Sequence, residues 1–341
     1  MTTMFRKVYG LDLGTYEIKI YDKRKDRIRS VKNVIAMQHE TEVLAVGSRA
    51  YLMEERAPAG IRVVFPMRGG VIAQFREMQF LLCELLPGKT SFHTEYLLAI
   101  PTDVTAVDKK AFYDLVCHSM ARVKTVRVVE RGLADAVGMG VDVHQERGIL
   151  VANFGGETTE LSVISKGKVL VSRLLPVGGR CLDDAVIEAV RSHCEFLIGR
   201  PTAGQLRMQF GIVGKRKERP LSVAGRDLVT GLAGKTSVSG SLIRRALKKV
   251  LFQTIAEVER IQKRIPPDVY RQVQKRGICL TGGLAELSGL DAYLEAQTGL
   301  FVHKTANSRL SAIQGIRQIL SDPYYRDLAH GISDEDYRWL R

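Results

Sequence analysis

Two short stretches of this sequence combine residue types that could hold a phosphate. Val8-Tyr9-Gly10-Leu11-Asp12-Leu13-Gly14-Thr15-Tyr16-Glu17-Ile18-Lys19-Ile20-Tyr21 reads as an apolar strand, a polar residue, a Gly-Thr turn and an alternating strand. It ends in a basic turn, Lys23-Arg24-Lys25. The same plan returns in Val151-Ala152-Asn153-Phe154-Gly155-Gly156-Glu157-Thr158-Thr159-Glu160-Leu161-Ser162-Val163-Ile164-Ser165, followed by the tight Lys166-Gly167-Lys168 turn and a third strand, Val169 to Ser172. Glycines at such turns accept positive φ and bring bare backbone N–H groups together, the geometry that holds an anionic phosphate tail. One Gly-Gly hairpin is weak evidence, because many hairpins use glycine only to turn. Two copies carry more weight, and they point to a duplicated domain whose halves face each other across one cleft. Ile278-Cys279-Leu280-Thr281-Gly282-Gly283-Leu284-Ala285-Glu286-Leu287 supplies a third strand-to-glycine turn. It is expected to open a helix whose N-terminus a planar or phosphate-bearing ligand can approach.

The elements that must position these turns are those of an α/β protein. Apolar spacing predicts a largely buried helix over Val71–Leu86, a strand over Tyr96–Ile100 ended by Pro101, and an amphipathic helix over Asp108–Ala121. A strand over Thr125–Val129 and a helix over Arg131–Gly140 follow. Between Asn33 and Gly70 the short runs Val34-Ile35-Ala36 and Val43-Leu44-Ala45-Val46 mark a small inserted subdomain. The second half repeats the style. A helix over Arg180–Leu197 is stopped by Gly199 and Pro201, and a short helix starts near Thr202. A basic turn at Lys215-Arg216-Lys217-Glu218-Arg219-Pro220 comes next, and a long helix over Ser241–Arg264 runs until Pro266-Pro267. Such alternation packs helices on sheets.

At 341 residues, 45% hydrophobic and 26% charged, the chain can bury a large core and should form about two domains. No apolar run is long enough to span a bilayer and no secretory h-region is present, so a cytoplasmic protein is expected. Cys83, Cys117, Cys181, Cys194 and Cys279 lack C-x-x-C spacing, which predicts reduced thiols and no metal site built on them. The net charge of +14 invites an anionic partner. No helix-turn-helix, zinc-finger or aromatic single-strand signature accompanies it, which favours a membrane surface or a solvated basic exterior over nucleic acid.

With its three glycine turns the chain resembles the actin, Hsp70 and sugar-kinase superfamily. In detail it is similar to the bacterial actin MreB family, from about Val8 to Leu320. Gly10-Leu11-Asp12-Leu13-Gly14-Thr15 looks like that family's first phosphate motif. Ile100-Pro101-Thr102-Asp103-Val104-Thr105, Val141-Asp142-Val143-His144, Val177-Gly178-Gly179, Gly225-Arg226-Asp227-Leu228-Val229-Thr230-Gly231-Leu232 and Leu280-Thr281-Gly282-Gly283 are further MreB-like stretches in the family's order. The resemblance implies an actin-like α/β fold, a duplicated ribonuclease H-like core with a large and a small subdomain in each half. Subdomain IA would comprise 1–32, 72–145 and 311–341, IB 33–71, IIA 146–180 with 243–310, and IIB 181–242. ATP or ADP with Mg²⁺ would lie between two phosphate loops, Asp12, Gly14, Thr15, Tyr16 and Glu17 in one and Asn153, Gly155, Gly156 and Glu157 in the other. Adenosine would sit near Gly204-Gln205-Leu206-Arg207 and Gly282-Gly283-Leu284-Ala285, and Asp12 would hold the metal through water. The resemblance further implies filaments at the inner face of the cell membrane, formed alone or with an MreB paralogue, that guide cell shape and cell-wall synthesis proteins.

Four changes, one of them a pair of adjacent residues, depart from the family pattern. Asn153 stands where a carboxylate is usual and offers Mg²⁺ one neutral oxygen. Glu157 replaces a glycine, and Tyr16-Glu17 replace small and amide residues, so two carboxylates are expected to repel a phosphate tail. In Val128-Val129-Glu130-Arg131-Gly132, Arg131 aligns with the acidic residue that positions the attacking water, and a shift of one residue would place Glu130 there instead. A guanidinium has only donors; it could stabilise phosphate charge or neutralise Glu17 or Glu157. The expectation is a filament protein with weak or absent ATP hydrolysis, at most a weak ATPase. The alternative is a non-polymerising actin-fold adaptor with a degenerate nucleotide site, and an active small-molecule kinase is disfavoured because no placed carboxylate remains as base. Phe92, in the Ser91-Phe92-His93 loop, is the candidate membrane contact.

Overall fold

The computed structural model describes residues 7–39, 41–86, 94–120, 123–214, 219–331 and 334. The Phe92 loop, Met1 to Arg6, Lys215 to Glu218 of the basic turn, and Trp339 lie outside the described residues. The chain divides into two compact units, one of 1–147, 162–174 and 310–341, the other of 148–161 and 175–309.

The first sheet is built from β1 (Lys7–Leu13), β2 (Glu17–Asp22), β3 (Arg27–Lys32), β4 (Thr94–Ile100) and β5 (Val123–Glu130), in the order β5-β4-β1-β2-β3. The first three form an antiparallel meander, and β4 and β5 then add in parallel to the free side of β1. That makes β1 a central strand, and its residues from Tyr9 to Leu13 are all buried. Leu11, Leu13, Ile18, Ile20 and Leu98 join Phe112 and Leu115 in the core beneath. The accompanying helices are α1 (Phe75–Leu85), α2 (Ala106–Ser119) and α3 (Arg131–Gly138).

The second sheet repeats that order. Its strands are β6 (Ile149–Phe154), β7 (Thr159–Ser165), β8 (Lys168–Leu175), β9 (Ile278–Thr281) and β10 (Val302–His303), arranged β8-β7-β6-β9-β10, with β9 parallel to β6 and β10 parallel to β9. Three consecutive strands followed by two parallel additions occur twice, the signature of a duplication. Helices α4 (Gly179–Cys194), α5 (Arg200–Phe210), α6 (Gly240–Arg264), α7 (Pro267–Arg276) and α8 (Leu290–Thr298) belong to this half, and α9 (Ser311–Ser321) returns the chain to the first unit. There α9 crosses α3 at backbone contact: a Cβ on Gly315 would meet the carbonyl oxygen of Ala134, and one on Gly138 that of Ser311.

Several local expectations need correction. Val71 and Ile72 are a strand, paired with Arg68 and Met67 across the Gly69-Gly70 turn, and the helix begins only at Phe75. Two β-branched residues after a glycine turn favour the hairpin over a helical first turn. The helix over Arg180–Leu197 ends at Cys194, because Glu195 turns left-handed and Phe196-Leu197 pair with Asp227 and Arg226. Pro266-Pro267 stops one helix and starts the next, since proline at the first helical position has no N–H to leave unpaired. Strand β7 is buried on both faces, not on alternate ones. The third glycine turn opens a single 3₁₀ turn, Gly283–Glu286; α8 begins only at Leu290, after the left-handed Gly289.

Two three-stranded sheets stand apart from the five-stranded ones. Ile35–Gln38 pairs with Glu42–Val46 and Ile61–Val64 over a minor cluster of Val34, Ala36 and Ala50. Leu221–Asp227 pairs with Phe196–Leu197 and Ala233–Val238.

Candidate functional site: two glycine-turn half-sites

In the first unit the turn between β1 and β2 is closed by the Gly14 N–H, which donates to the Glu17 carbonyl over 3.1 Å. A Cβ on Gly14 would lie 2.8 Å from that oxygen, so only glycine fits. Asn33, fully buried, clamps the turn from outside. Its side-chain amide donates to the Gly14 carbonyl over 2.8 Å and its backbone N–H to the Tyr16 carbonyl over 2.9 Å.

Asp12 ends the buried run of β1 and is itself 3% exposed. Antiparallel register sets Lys19 directly opposite it, and the Lys19 ammonium reaches Asp12 Oδ2 over 2.7 Å. Arg131, the first residue of α3, brings Nε to 3.6 Å from Asp12 Oδ1, and its Nη2 donates to the Leu13 carbonyl over 3.4 Å. Burial pushes the Asp12 carboxyl upward, but Lys19 and Arg131 together outweigh burial and hold it below the usual carboxylate range. Arg131 reaches the turn, and its neighbour Glu130 is the half-buried N-cap of α3.

The added carboxylate of Glu17 does not face a phosphate alone. Lys32, opposite it in the β2–β3 register, pairs with Glu17 over 2.9 Å and sits 3.8 Å above the Tyr16 ring. The expected repulsion is therefore offset at its source, and Arg131 lies against Asp12.

In the second unit the Gly155 N–H donates to the Thr158 carbonyl over 2.8 Å, and a Cβ on Gly155 would lie 2.9 Å from that oxygen. Gly155 thus repeats Gly14, and Asn153 repeats Asp12, two residues earlier. The N-terminus of α4 packs on this loop, with Gly179 N–H donating to the Gly155 carbonyl over 3.1 Å and Arg180 N–H to that of Gly156 over 2.7 Å. Arg180 Nη1 lies 3.5 Å from Glu157 Oε1, so this second added carboxylate is countered too.

The expected adenosine residues gather at the same place. Gly282 has φ +85°, and a Cβ there would come within 2.3 Å of the Phe154 carbonyl and 2.7 Å of Asn153 Oδ1. A Cβ on Gly179 would meet Arg207 Nη2 and Leu284 Cδ2, each at 3.8 Å. Arg207 Nε donates to Asp183 over 2.7 Å, and Gly204 faces the same carboxylate. Burial raises the Asp183 carboxyl above its ordinary range, against the pull of Arg207. Leu206 is buried on the core face of α5 and Gln205 is exposed, so Gly204 and Arg207 are the members of that stretch nearest the Asp183 cluster. Ala285 is buried, and Gly283 opens onto free space.

A short motif does not display Lys19, Lys32, Gly178, Gly179, Arg180 or Asp183 as site residues. Two had a readable signal: a turn closed between Gly14 and Glu17 forces Asp12 opposite Lys19, and the next register sets Glu17 opposite Lys32. The donor set does not fit a resident divalent cation at Asp12. Its two oxygens face an ammonium and a guanidinium, and among the described residues no three His, Cys, Asp or Glu side chains cluster to hold a metal.

Twin five-stranded sheets of one topology, each carrying a glycine turn after its first strand, define an actin-like fold. The chain belongs to the MreB/Mbl protein family, whose model matches residues 6–326. It is 33% identical over 298 residues to the cell shape-determining protein Mbl of Bacillus cereus (strain ATCC 10987 / NRS 248), covering 85% of this chain and 89% of that one. The cell shape-determining protein MreB of Escherichia coli (strain K12) is 31% identical over 308 residues, 87% and 88% of the two chains. The crystal structure of MreB 5 of Spiroplasma citri bound to AMPPNP superposes with a TM-score of 0.87 at 28% identity, covering 94% of this chain and 97% of that one. The protein is thus an MreB-like member of the actin family of cytoskeletal proteins.

Proposed function

We propose that this chain is a nucleotide-binding, self-associating MreB-type filament subunit that hydrolyses ATP weakly or not at all. Nucleotide binding is supported by the two glycine turns and by the AMPPNP-bound state of the similar Spiroplasma protein. The observation that carries weak turnover is Arg131 seated on Asp12. A guanidinium cannot accept a proton from an attacking water, and the carboxylate beside it is held by two cations. Work in cell shape follows the names of the relatives, and a place at the inner face of the cytoplasmic membrane with cell-wall synthesis proteins as partners is what the family resemblance adds to this reading. The excess of cations suits an anionic lipid surface, and among the described residues no helix is long and apolar enough to cross a membrane. The division into subdomains IA, IB, IIA and IIB belongs to this reading.

Phosphate release by the purified full chain with ATP and Mg²⁺ is the test of turnover; a rate matching that of an ordinary MreB overturns it. Sedimentation with and without nucleotide tests self-association. A chain that stays in the supernatant under every condition is the adaptor and not the filament subunit.

A further inference from the structure

The three-stranded sheet of the second unit ends in a turn that leaves three apolar side chains uncovered. Leu228-Val229-Thr230-Gly231-Leu232 joins the strands Leu221–Asp227 and Ala233–Val238, and Leu228, Val229 and Leu232 are 45%, 73% and 69% exposed. The backbone of this turn is closed on itself. Leu228 N–H donates to the Glu195 carbonyl over 2.9 Å, and Val229 and Thr230 N–H both donate to Asp227 Oδ1, over 2.9 and 2.8 Å. Gly231 N–H donates to the Asp227 carbonyl, Leu232 N–H to Thr230 Oγ1, and Asp227 N–H to the Leu232 carbonyl. Each N–H from Asp227 to Leu232 thus has an acceptor within the protein. A segment entering hydrocarbon must meet that condition, because no water is there to satisfy its donors; a turn that only faces water has no such need.

Cations stand directly behind the tip. Register sets Arg226 opposite Leu197 on one side and Ala233 on the other, and Lys235 opposite Ala224, two positions further back on the same face. All five side chains are exposed. Two acids border the turn: Asp227, whose carboxylate accepts from the backbone as above, and Glu195 at the end of α4. From Arg219 to Ala256 the sequence carries seven Lys and Arg and one acid, Asp227. An apolar tip backed by cations matches the depth profile of an anionic bilayer, phosphates outside and acyl chains within.

We propose that the Leu228–Leu232 turn is a lipid-inserting wedge, with Leu228, Val229 and Leu232 entering the acyl boundary of an anionic membrane and Arg226 and Lys235 meeting its phosphates. The inference rests on the membrane-surface reading above and deepens it by naming the contact.

The test is flotation of the full chain with vesicles of mixed phosphatidylglycerol and phosphatidylcholine, and with phosphatidylcholine alone. Wild type is expected to partition about tenfold or more strongly onto the anionic vesicles. The triple variant Leu228→Ser, Val229→Ser, Leu232→Ser is expected to lose about tenfold or more of that binding, and Lys235→Gln about fivefold. Thermal melting and self-association without lipid are measured beside them and should match wild type. As a second probe, Val229→Trp is placed in a Trp339→Phe background, which removes the one native tryptophan. Its emission is expected to shift to the blue on anionic vesicles and to be quenched by brominated acyl chains. Wild-type binding that ignores lipid charge, a triple variant that binds as wild type does, or an indole whose emission does not move overturns the inference and leaves membrane association standing. A triple variant that loses self-association without lipid assigns the turn to a contact between copies and overturns it likewise. No vesicle binding by wild type removes the membrane reading and this inference with it.

Discussion

In both hairpins a glycine N–H reaches the carbonyl three residues on, over 3.1 Å at Gly14 and 2.8 Å at Gly155, and in both a methyl group on that glycine would strike the same oxygen. The polar residue two positions earlier is Asp12 in one and Asn153 in the other. Around Asp12 the fold has gathered Lys19 and Arg131; around Asn153 it has placed backbone, the Phe154 carbonyl and the Gly282 turn. One backbone device thus serves two electrostatic designs. The lesson is that glycine spacing fixes the shape of a phosphate turn, while its affinity for metal or anion is set by side chains that other elements bring.

Removing the central group of each turn should separate the designs most sharply. Asp12→Ala removes the buried carboxylate that Lys19 and Arg131 share and is expected to cost about 3–5 kcal/mol of stability. Asn153→Ala forfeits only neutral hydrogen bonding and should cost about 1–2 kcal/mol. Denaturant unfolding of the pair checks this, and equal costs would erase the distinction. Gly282→Ala comes next, at about 2–4 kcal/mol, because a left-handed backbone and a 2.3 Å approach to the Phe154 carbonyl both oppose a methyl group. Gly283→Ala, facing open space, is the matched control and should stay near neutral in the same experiment.

Acid titration sets the two units against each other with opposite signs. The folded Asp12 carboxyl lies below its unfolded value, so its contribution is full above about pH 4 and is lost as pH falls through the lower folded value. The folded Asp183 carboxyl lies above its unfolded value, so it costs stability as pH rises through that window and returns it as pH falls. Thermal melts between about pH 5 and pH 3 should therefore show Asp12→Asn flattening the acid loss and Asp183→Asn steepening it. The smallest effect belongs to Lys32→Ala. Its partly exposed pair with Glu17 and its place over Tyr16 should contribute about 1 kcal/mol or less, and raised salt should shrink the difference further.

Much of the architecture was legible beforehand. The hairpins, the Tyr96–Ile100 strand and the long helix to Arg264 follow from periodicity and from proline and glycine punctuation. Short segments misled where pairing partners outvote local pattern, as at Val71-Ile72 and Phe196-Leu197, whose strands exist only because Met67-Arg68 and Arg226-Asp227 lie alongside. The site was half legible. Glu17 and Glu157 read as repulsive in isolation, and each has a cation beside it in the fold.

The amino-acid order alone determined the two glycine turns, their duplication, the third turn at Gly282 and the presence of Asn153, Glu157 and Arg131 where acids or small residues are usual. Those are statements about neighbours within a few residues, where backbone sterics act. That Arg131 meets Asp12 across 119 positions of chain, or that Arg180 turns back onto Glu157, was decided only by the tertiary structure. Charge is a property of a place, and the residues sharing a place are chosen by the packing of sheets and helices rather than by proximity in sequence.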